Sequence, residues 1–188
     1  MKKSMNIAIA ILAVTLGGGA AIGAVTVVGK SSARLCYEAA ERHESDVAAL
    51  AACDAALAGT EALSASDITA SHVNRGIVRM RGSDLTGAIA DFDAAIARDH
   101  DQAEAYLNKG LALMRQESSW HAARAEFDQA IAKGTRKPAL AHFGRGIVEE
   151  HIGNVRAAYA DYRRALELDP EWAEPARELA RFKLMAKG

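Results

Sequence analysis

The stretch "NRGIVRMRGSDLTGAIADFDAAIARD", Asn74 to Asp99, is written again as "GRGIVEEHIGNVRAAYADYRRALELD" from Gly144 to Asp169. Self-similarity of this kind constrains a fold strongly, because every copy must take one shape and then meet its neighbours in one way. A third copy lies between the two. Gly76, Gly110 and Gly146, each preceded by a basic residue (Arg75, Lys109, Arg145), are spaced 34 and 36 residues apart. Downstream of each glycine comes an alanine (Ala88, Ala123, Ala158), four residues later an aromatic (Phe92, Phe127, Tyr162), and three further on another alanine (Ala95, Ala130, Ala165). Small residues at Gly76 and Ala88 let two helices approach closely, the aromatic one turn on fills the space beyond them, and Ala95 leaves room for the next unit. "RGSD", "QESSW" and "HIGN" supply the turns, so each unit reads as two antiparallel helices, an A helix such as Ser71–Arg81 and a B helix such as Leu85–Arg98. Prolines number only three, and β-branched runs are missing after residue 30, so the body is expected to be all-α.

These residues resemble the tetratricopeptide repeat, a pattern of about 34 residues with small, Ala, aromatic and Ala anchors and a closing Pro. The copy ending "LELDP" keeps the pattern in full, to Pro170. The resemblance implies an α-solenoid of about four antiparallel helix pairs with a C-terminal capping helix. The copies span residues 69–102, 103–138 and 139–172. Two departures are visible: His100 stands where the first of these copies should carry Pro, and the middle copy has two extra residues, one in the Ser118–Trp120 turn and one near "GTRKP". A degenerate copy occupies residues 31–68, where "DVAALAACDAALAG" (Asp46–Gly59) aligns with Leu85–Arg98 and puts Cys53 at the aromatic position; its A helix is expected over Ala33–His43. Residues 173–188, apolar at Leu179, Phe182 and Met185, read as the capping helix.

Cys36 falls in the first A helix and Cys53 in the first B helix, with their midpoint in the turn between Glu44 and Ser45. Folding about that turn brings them level, and an oxidising compartment would then favour a disulfide over two buried thiols. Charges pair in the same way. Arg75, Lys109 and Arg145 precede the small residue of each A helix, while Asp91, Glu126 and Asp161 precede the aromatic of each B helix. Antiparallel packing makes these three cross-helix ion pairs that specify register, worth at most about 1 kcal/mol each where exposed.

Residues 1–30 are of another kind. Lys2 and Lys3 are followed by no charge until Lys30, and "IAIAILAVTL" (Ile7–Leu16) is the most apolar part. A basic start before an apolar run of about ten residues begins like a secretory signal. The uncharged span, residues 4–29, also exceeds the roughly 20 residues that cross a bilayer as a helix, although Gly17, Gly18 and Gly19 weaken it as one. Cleaved signal and retained membrane tether both remain open. Either leaves the body outside the cytoplasm, periplasmic or anchored to the inner membrane and facing the periplasm.

Little points to catalysis or to small ligands. The formal net charge of −1 gives no electrostatic reason to expect nucleic acid. "AVTVVGKS" (Ala24–Ser31) matches a loose phosphate-loop pattern, which carries meaning only between a strand and a helix of an α/β sheet. The six histidines show no metal spacing, and the Ser, His and Asp residues read as solvent-facing polar positions on helices. No enzyme, cofactor or metal is expected.

In proteins that this chain resembles, the A helices line a concave face. Its inward residues are expected to be Val73, Ile77, Met80, Leu107, Leu111, Met114, Leu140, Phe143 and Ile147. They are nearly all apolar, as in grooves that hold a partner segment, and methionine suits adaptable surfaces. The competing reading is that several of them pack between neighbouring A helices. The family's carboxylate-clamping version is not supported: Asn74 and Asn108 occupy an Asn position, but Val73, Ile77, Leu140 and Gly144 stand where its cations would be. The expected activity is protein–protein interaction as a scaffold or adaptor in the cell envelope; a self-associating structural protein using the same face for homo-oligomerisation is the alternative.

Overall fold

Short polar side chains set where the helices begin. Ser31 accepts the Arg34 backbone N–H, Asp46 that of Ala49 and Asp84 that of Gly87, each satisfying a donor that the first helical turn leaves free. Ser64 and Asp67 form a reciprocal capping box, and Pro138 occupies a first-turn position where its missing N–H is harmless. In the computed structural model, which describes residues 31–60, 62–116 and 119–185, the resulting helices are α1 (Ser32–Glu41), α2 (Val47–Leu57), α3 (Ala65–Arg81), α4 (Leu85–Arg98), α5 (Ala103–Arg115), α6 (Trp120–Ala132), α7 (Pro138–His151), α8 (Val155–Leu168) and α9 (Ala173–Met185). The described residues contain no strand. The export segment expected over residues 1–30 lies outside them, as does Ser118 of the Ser118–Trp120 turn expected to hold an inserted residue.

Two boundaries differ from the sequence expectation. α3 starts at Ala65 rather than Ser71, because the capping box at Ser64 adds more than a turn ahead of the repeat pattern. α1 stops at Glu41, two residues before His43, which turns the chain at φ +63°.

A and B helices pair as α1/α2, α3/α4, α5/α6 and α7/α8, each B helix also meets the following A helix, and α9 packs on α8. Successive A helices touch as well, α1 with α3, α3 with α5 and α5 with α7, so one face of the array is built from A helices alone. The anchors read from the sequence make the core. Ala88, Ala95, Ala123, Ala130, Ala158 and Ala165 are fully buried, and so are Phe92, Phe127 and Tyr162. Glycine is a steric requirement where the rings arrive: a Cβ on Gly76 would sit 2.5 Å from the Phe92 ring, and one on Gly146 2.8 Å from Tyr162. Phe127 is gripped from both sides, since a Cβ on Gly110 would approach it to 3.0 Å and one on Gly144 to 2.6 Å.

The first pair solves the same problem covalently. Cys36 and Cys53, 0% exposed, are joined by a disulfide between α1 and α2, at the places where the other units set a glycine against an aromatic ring. The remaining buried residues of α1 and α2 are alanines: Ala39, Ala40, Ala49 and Ala56. At the other end, α9 is held by Arg181, whose guanidinium donates to both oxygens of Glu150 at 2.6 Å, while Tyr162 donates its hydroxyl to the same carboxylate at 3.0 Å. The Arg181 bonds hold Glu150 below the usual carboxylate range.

One turn carries removable strain. Ser83, before the Asp84 cap, sits at φ +68°, where the equivalent α7–α8 turn uses Gly153 at φ +87°. Ser83→Gly is expected to stabilise the protein by about 0.5–1 kcal/mol, the relief of a left-handed side chain less the entropy that glycine adds to the unfolded chain. A higher urea midpoint with an unchanged m-value checks it.

Candidate functional site

The A-helix face carries a groove of about 520 Å³. α1 contributes Tyr37 and Ala40, α3 contributes Val73, Ile77 and Met80, α5 contributes Leu107 and Leu111, and α7 contributes Leu140. Val73 and Leu107 form its floor, 6% and 1% exposed, while Ile77, Met80, Leu111 and Leu140 are half-buried and retain surface toward the opening. Six of the nine residues expected to face inward are therefore brought together in one depression. The other three take separate places. Met114 lies half-buried against the Leu107–Phe127 core cluster. Phe143 packs on Tyr162 and Trp172, at ring-centroid distances of 5.6 and 4.7 Å, and Ile147 joins the same terminal cluster.

A polar rim surrounds the apolar floor. Arg81 donates a guanidinium N–H to the Ala40 carbonyl, crossing from α3 to α1, and its burial pulls the guanidinium below its ordinary value against the opposing pull of Glu41. Across the groove Arg136 donates its backbone N–H to Glu104 at 2.8 Å and its Nε at 3.2 Å. Burial alone would raise the Glu104 carboxyl; the Arg136 bonds outweigh it and hold the group low. Lys137 and His43 complete the rim. Asn108 bonds within its own repeat, donating its carboxamide N–H to the Glu104 carbonyl at 2.8 Å. Rim and end-wall residues were not legible from the repeat pattern: Tyr37 lies in the degenerate copy, Arg136 beside an inserted residue, and Arg81 at a position the pattern leaves unspecified.

The charge pairs form a deeper construction than the sequence reading allowed. Within each unit the expected bridges are present: Arg75 to Asp91 at 2.7 Å, Lys109 to Glu126 at 2.7 Å and Arg145 to Asp161 at 2.7 Å. Each cation also reaches back to the preceding B helix, Arg75 to Asp54 at 2.8 Å, Lys109 to Asp93 at 2.8 Å and Arg145 to Asp128 at 2.7 Å. A signal for this second set was present: Asp follows Cys53, Phe92 and Phe127, whereas Arg163 follows Tyr162.

The own-unit acids are not surface groups. The Asp91 and Asp161 side chains are 3% and 8% exposed. Nor do His72 and His142 face solvent as expected; each lies half-buried with Nδ1 at 3.2 Å from Asp91 and 2.9 Å from Asp161, respectively. Asp91 further accepts from Arg79 at 2.7 Å. Burial would raise both carboxyls, yet the bonds from His72 and Arg75 in one case, and Arg145 and His142 in the other, keep them below their ordinary value. These clusters join helices and lie in the helix-pair interior, so their chemistry is structural.

Among the described residues no group of three or more His, Cys, Asp or Glu side chains is arranged to hold a metal ion. No helix among them is long and apolar enough to cross a membrane.

Residues 73–119 and 116–171 match a family model described as tetratricopeptide repeat. No curated protein matches the chain. Among solved structures, the first TPR of Spaghetti (RPAP3) bound to the HSP90 peptide SRMEEVD is similar at 21% identity with a TM-score of 0.60, covering 64% of this chain and 94% of that one. The Arabidopsis OM64 TPR domain is 21% identical with a TM-score of 0.59, over 63% and 96% of the two chains. MamA from Desulfovibrio magneticus RS-1, residues 41 to the end, gives a TM-score of 0.67 at 17% identity, over 84% and 87%. At these identities the likeness is one of fold.

Proposed function

Because the chain belongs to the tetratricopeptide repeat family, we propose that it is a non-catalytic adaptor that holds a partner protein segment in the apolar groove of its A-helix face. Domains of this kind generally mediate protein–protein interaction, and one structural neighbour carries a bound HSP90 peptide. The observation that carries the reading is the groove itself: Ile77, Met80, Leu111 and Leu140, from three successive A helices, keep surface toward one opening above the buried floor of Val73 and Leu107. A continuous apolar surface with a polar rim is the anatomy of an interface rather than of a solvent-facing helix array. The partner segment would place apolar anchors along the floor and direct its polar groups to Arg81, Lys137 and the Asn74 and Asn108 carboxamides. The compartment proposed is the cell envelope, with residues 1–30 as a cleaved signal or retained tether; the apolar run behind Lys2 and Lys3 and the disulfide support it.

A photo-crosslinking residue at Leu111, introduced in cells, is expected to capture one discrete partner protein. Leu111→Ser should weaken that complex roughly tenfold or more with an unchanged far-UV circular dichroism spectrum. Crosslinking to a second copy of the chain would instead favour self-association, and no adduct from a folded, exported protein would sink the groove reading.

A further inference from the structure

We propose that the first helix pair is a redox-conditional wall of the groove: while Cys36 and Cys53 are bonded, α1 is held in place to close one end, and a dithiol reductant that opens the bond releases that wall. The groove's role as partner site is taken from the proposed function; the behaviour of the helix pair is not.

The inference starts from a substitution visible across the repeats. In three units an A-helix glycine receives a B-helix ring, and that fit locks the two helices together. In the first unit the same two places hold Cys36 and Cys53, spaced 17 residues apart, the same interval that separates Gly110 from Phe127. Breaking the bond therefore leaves no ring behind to keep α1 on α2. Apart from the sulfurs, the buried side chains of the pair are alanine methyls, with Leu50 only partly buried. The pair is also an end of the described array, and among the described helices α1 packs chiefly on α2 and α3.

Both sulfurs are 0% exposed, which means a reductant meets them only when the pair opens by fluctuation. Thiolate attack then proceeds through a mixed disulfide. The dithiol gives two electrons and two protons to the Cys36–Cys53 bond, yielding two cysteine thiols, and is itself oxidised to a disulfide. Reduction thus removes the restraint that made reclosure efficient.

The consequence reaches the groove because α1 is its wall. Tyr37, Ala40 and Glu41 line that end, and the Ala40 carbonyl is the acceptor that holds the Arg81 guanidinium. Release of α1 removes the apolar end-wall and leaves Arg81 without its acceptor, an unpaired cation at the edge of the floor.

Hydrogen exchange of the full chain, followed by mass spectrometry with and without dithiothreitol, tests the inference. Peptides from residues 32–57 should exchange on the order of a hundredfold faster after reduction, while peptides from residues 85–168 keep their protection. The Cys36→Ala/Cys53→Ala variant should show the fast pattern without reductant. Unchanged protection of residues 32–57, with alkylation of the unfolded protein confirming two free thiols, would overturn the proposal. Loss of protection along the whole array would overturn it too, since the bond would then be a general staple and not a gate. In the same reduced samples the Leu111 crosslink to the partner should fall at least several-fold; an unaltered yield refutes the gating of the groove. If Leu111 captures nothing in either state, the groove reading fails, and the exchange experiment still decides the fate of the helix pair.

Discussion

Phe127→Ala is expected to destabilise the protein by about 3–5 kcal/mol and to split its unfolding into two transitions. The ring is fully buried and serves three helices at once: it lies on α6, faces Gly110 of α5 and faces Gly144 of α7. Removing it empties the contact that joins the unit 103–138 to the unit 139–172, and in an array each unit is held by its neighbours. The halves should then lose coupling. By fluorescence, Trp172, ahead of α9, reports the unit 139–172, while Trp120, on α6 and stacked on His151 of α7 at 3.9 Å, reports the seam between the units. Non-coincident urea transitions of the two would register the split. A companion substitution tests the cause. Gly144→Ala alone should destabilise by about 1–3 kcal/mol, because its Cβ would lie 2.6 Å from a ring that has nowhere to go. In the Phe127→Ala background the methyl has room, and the same change should become stabilising by up to about 1 kcal/mol through helix propensity. A double-mutant cycle without that reversal of sign would show that the ring and the glycine are not the coupled pair described here.

The second large effect is electrostatic. Asp91→Ala should destabilise by about 2–4 kcal/mol, since it strips the acceptor from Arg75, Arg79 and His72 inside the α3–α4 interface; the figure is held below that of a fully buried pair because the two arginines are 17% and 26% exposed. Asp54→Ala, which removes the other partner of Arg75, should cost less than about 1 kcal/mol, since Asp54 is 58% exposed. The pH dependence has a definite sign. Asp91 and Asp161 are held below their ordinary value in the folded protein. Their contribution is therefore complete above the unfolded carboxylate value, about 4, and is lost as pH falls through the lower folded values. Urea unfolding between pH 5 and pH 2, on an order-of-magnitude window set by those values, should show a shallower loss of stability for Asp91→Asn than for the natural chain. Equal slopes would remove Asp91 as a source of the acid sensitivity.

What could be read without coordinates was whatever depends on one helix pair. The Gly76–Phe92 and Gly146–Tyr162 fits follow from steric complementarity between two helices joined by a short turn, and that complementarity imposes a fixed spacing on the sequence. The Cys36–Cys53 bond and the Arg75–Asp91 bridge were legible on the same ground. Relations between units were not. Whether Arg75 reaches Asp54, or Phe143 turns to Trp172 instead of the groove, depends on how far each pair rotates and shifts against the next, and a repeat period is silent about that angle. Asp91, His72 and Asp161 looked like surface residues because hydrophobicity is a poor guide to burial once a polar group has every bond satisfied. The early start of α3 came from Ser64 and Asp67, a local signal that the repeat pattern overran.

The ladder of shared cations also determines which units are interchangeable. The units 69–102 and 103–138 each offer a cation to the acid behind them and an acid to the cation ahead, Arg75 with Asp93 and Lys109 with Asp128. They are links with two complementary hooks. The outer units have one hook each: Leu35 stands in α1 where the cation should be, and Arg163 in α8 where the acid should be. A gene rearrangement that duplicates a middle link would lengthen the array in register, whereas one that added a link beyond α8 would set its cation against Arg163. The polarity of the ladder is thus written into two residues at its ends, Leu35 and Arg163, and lengthening by recombination is directed to the interior of the chain.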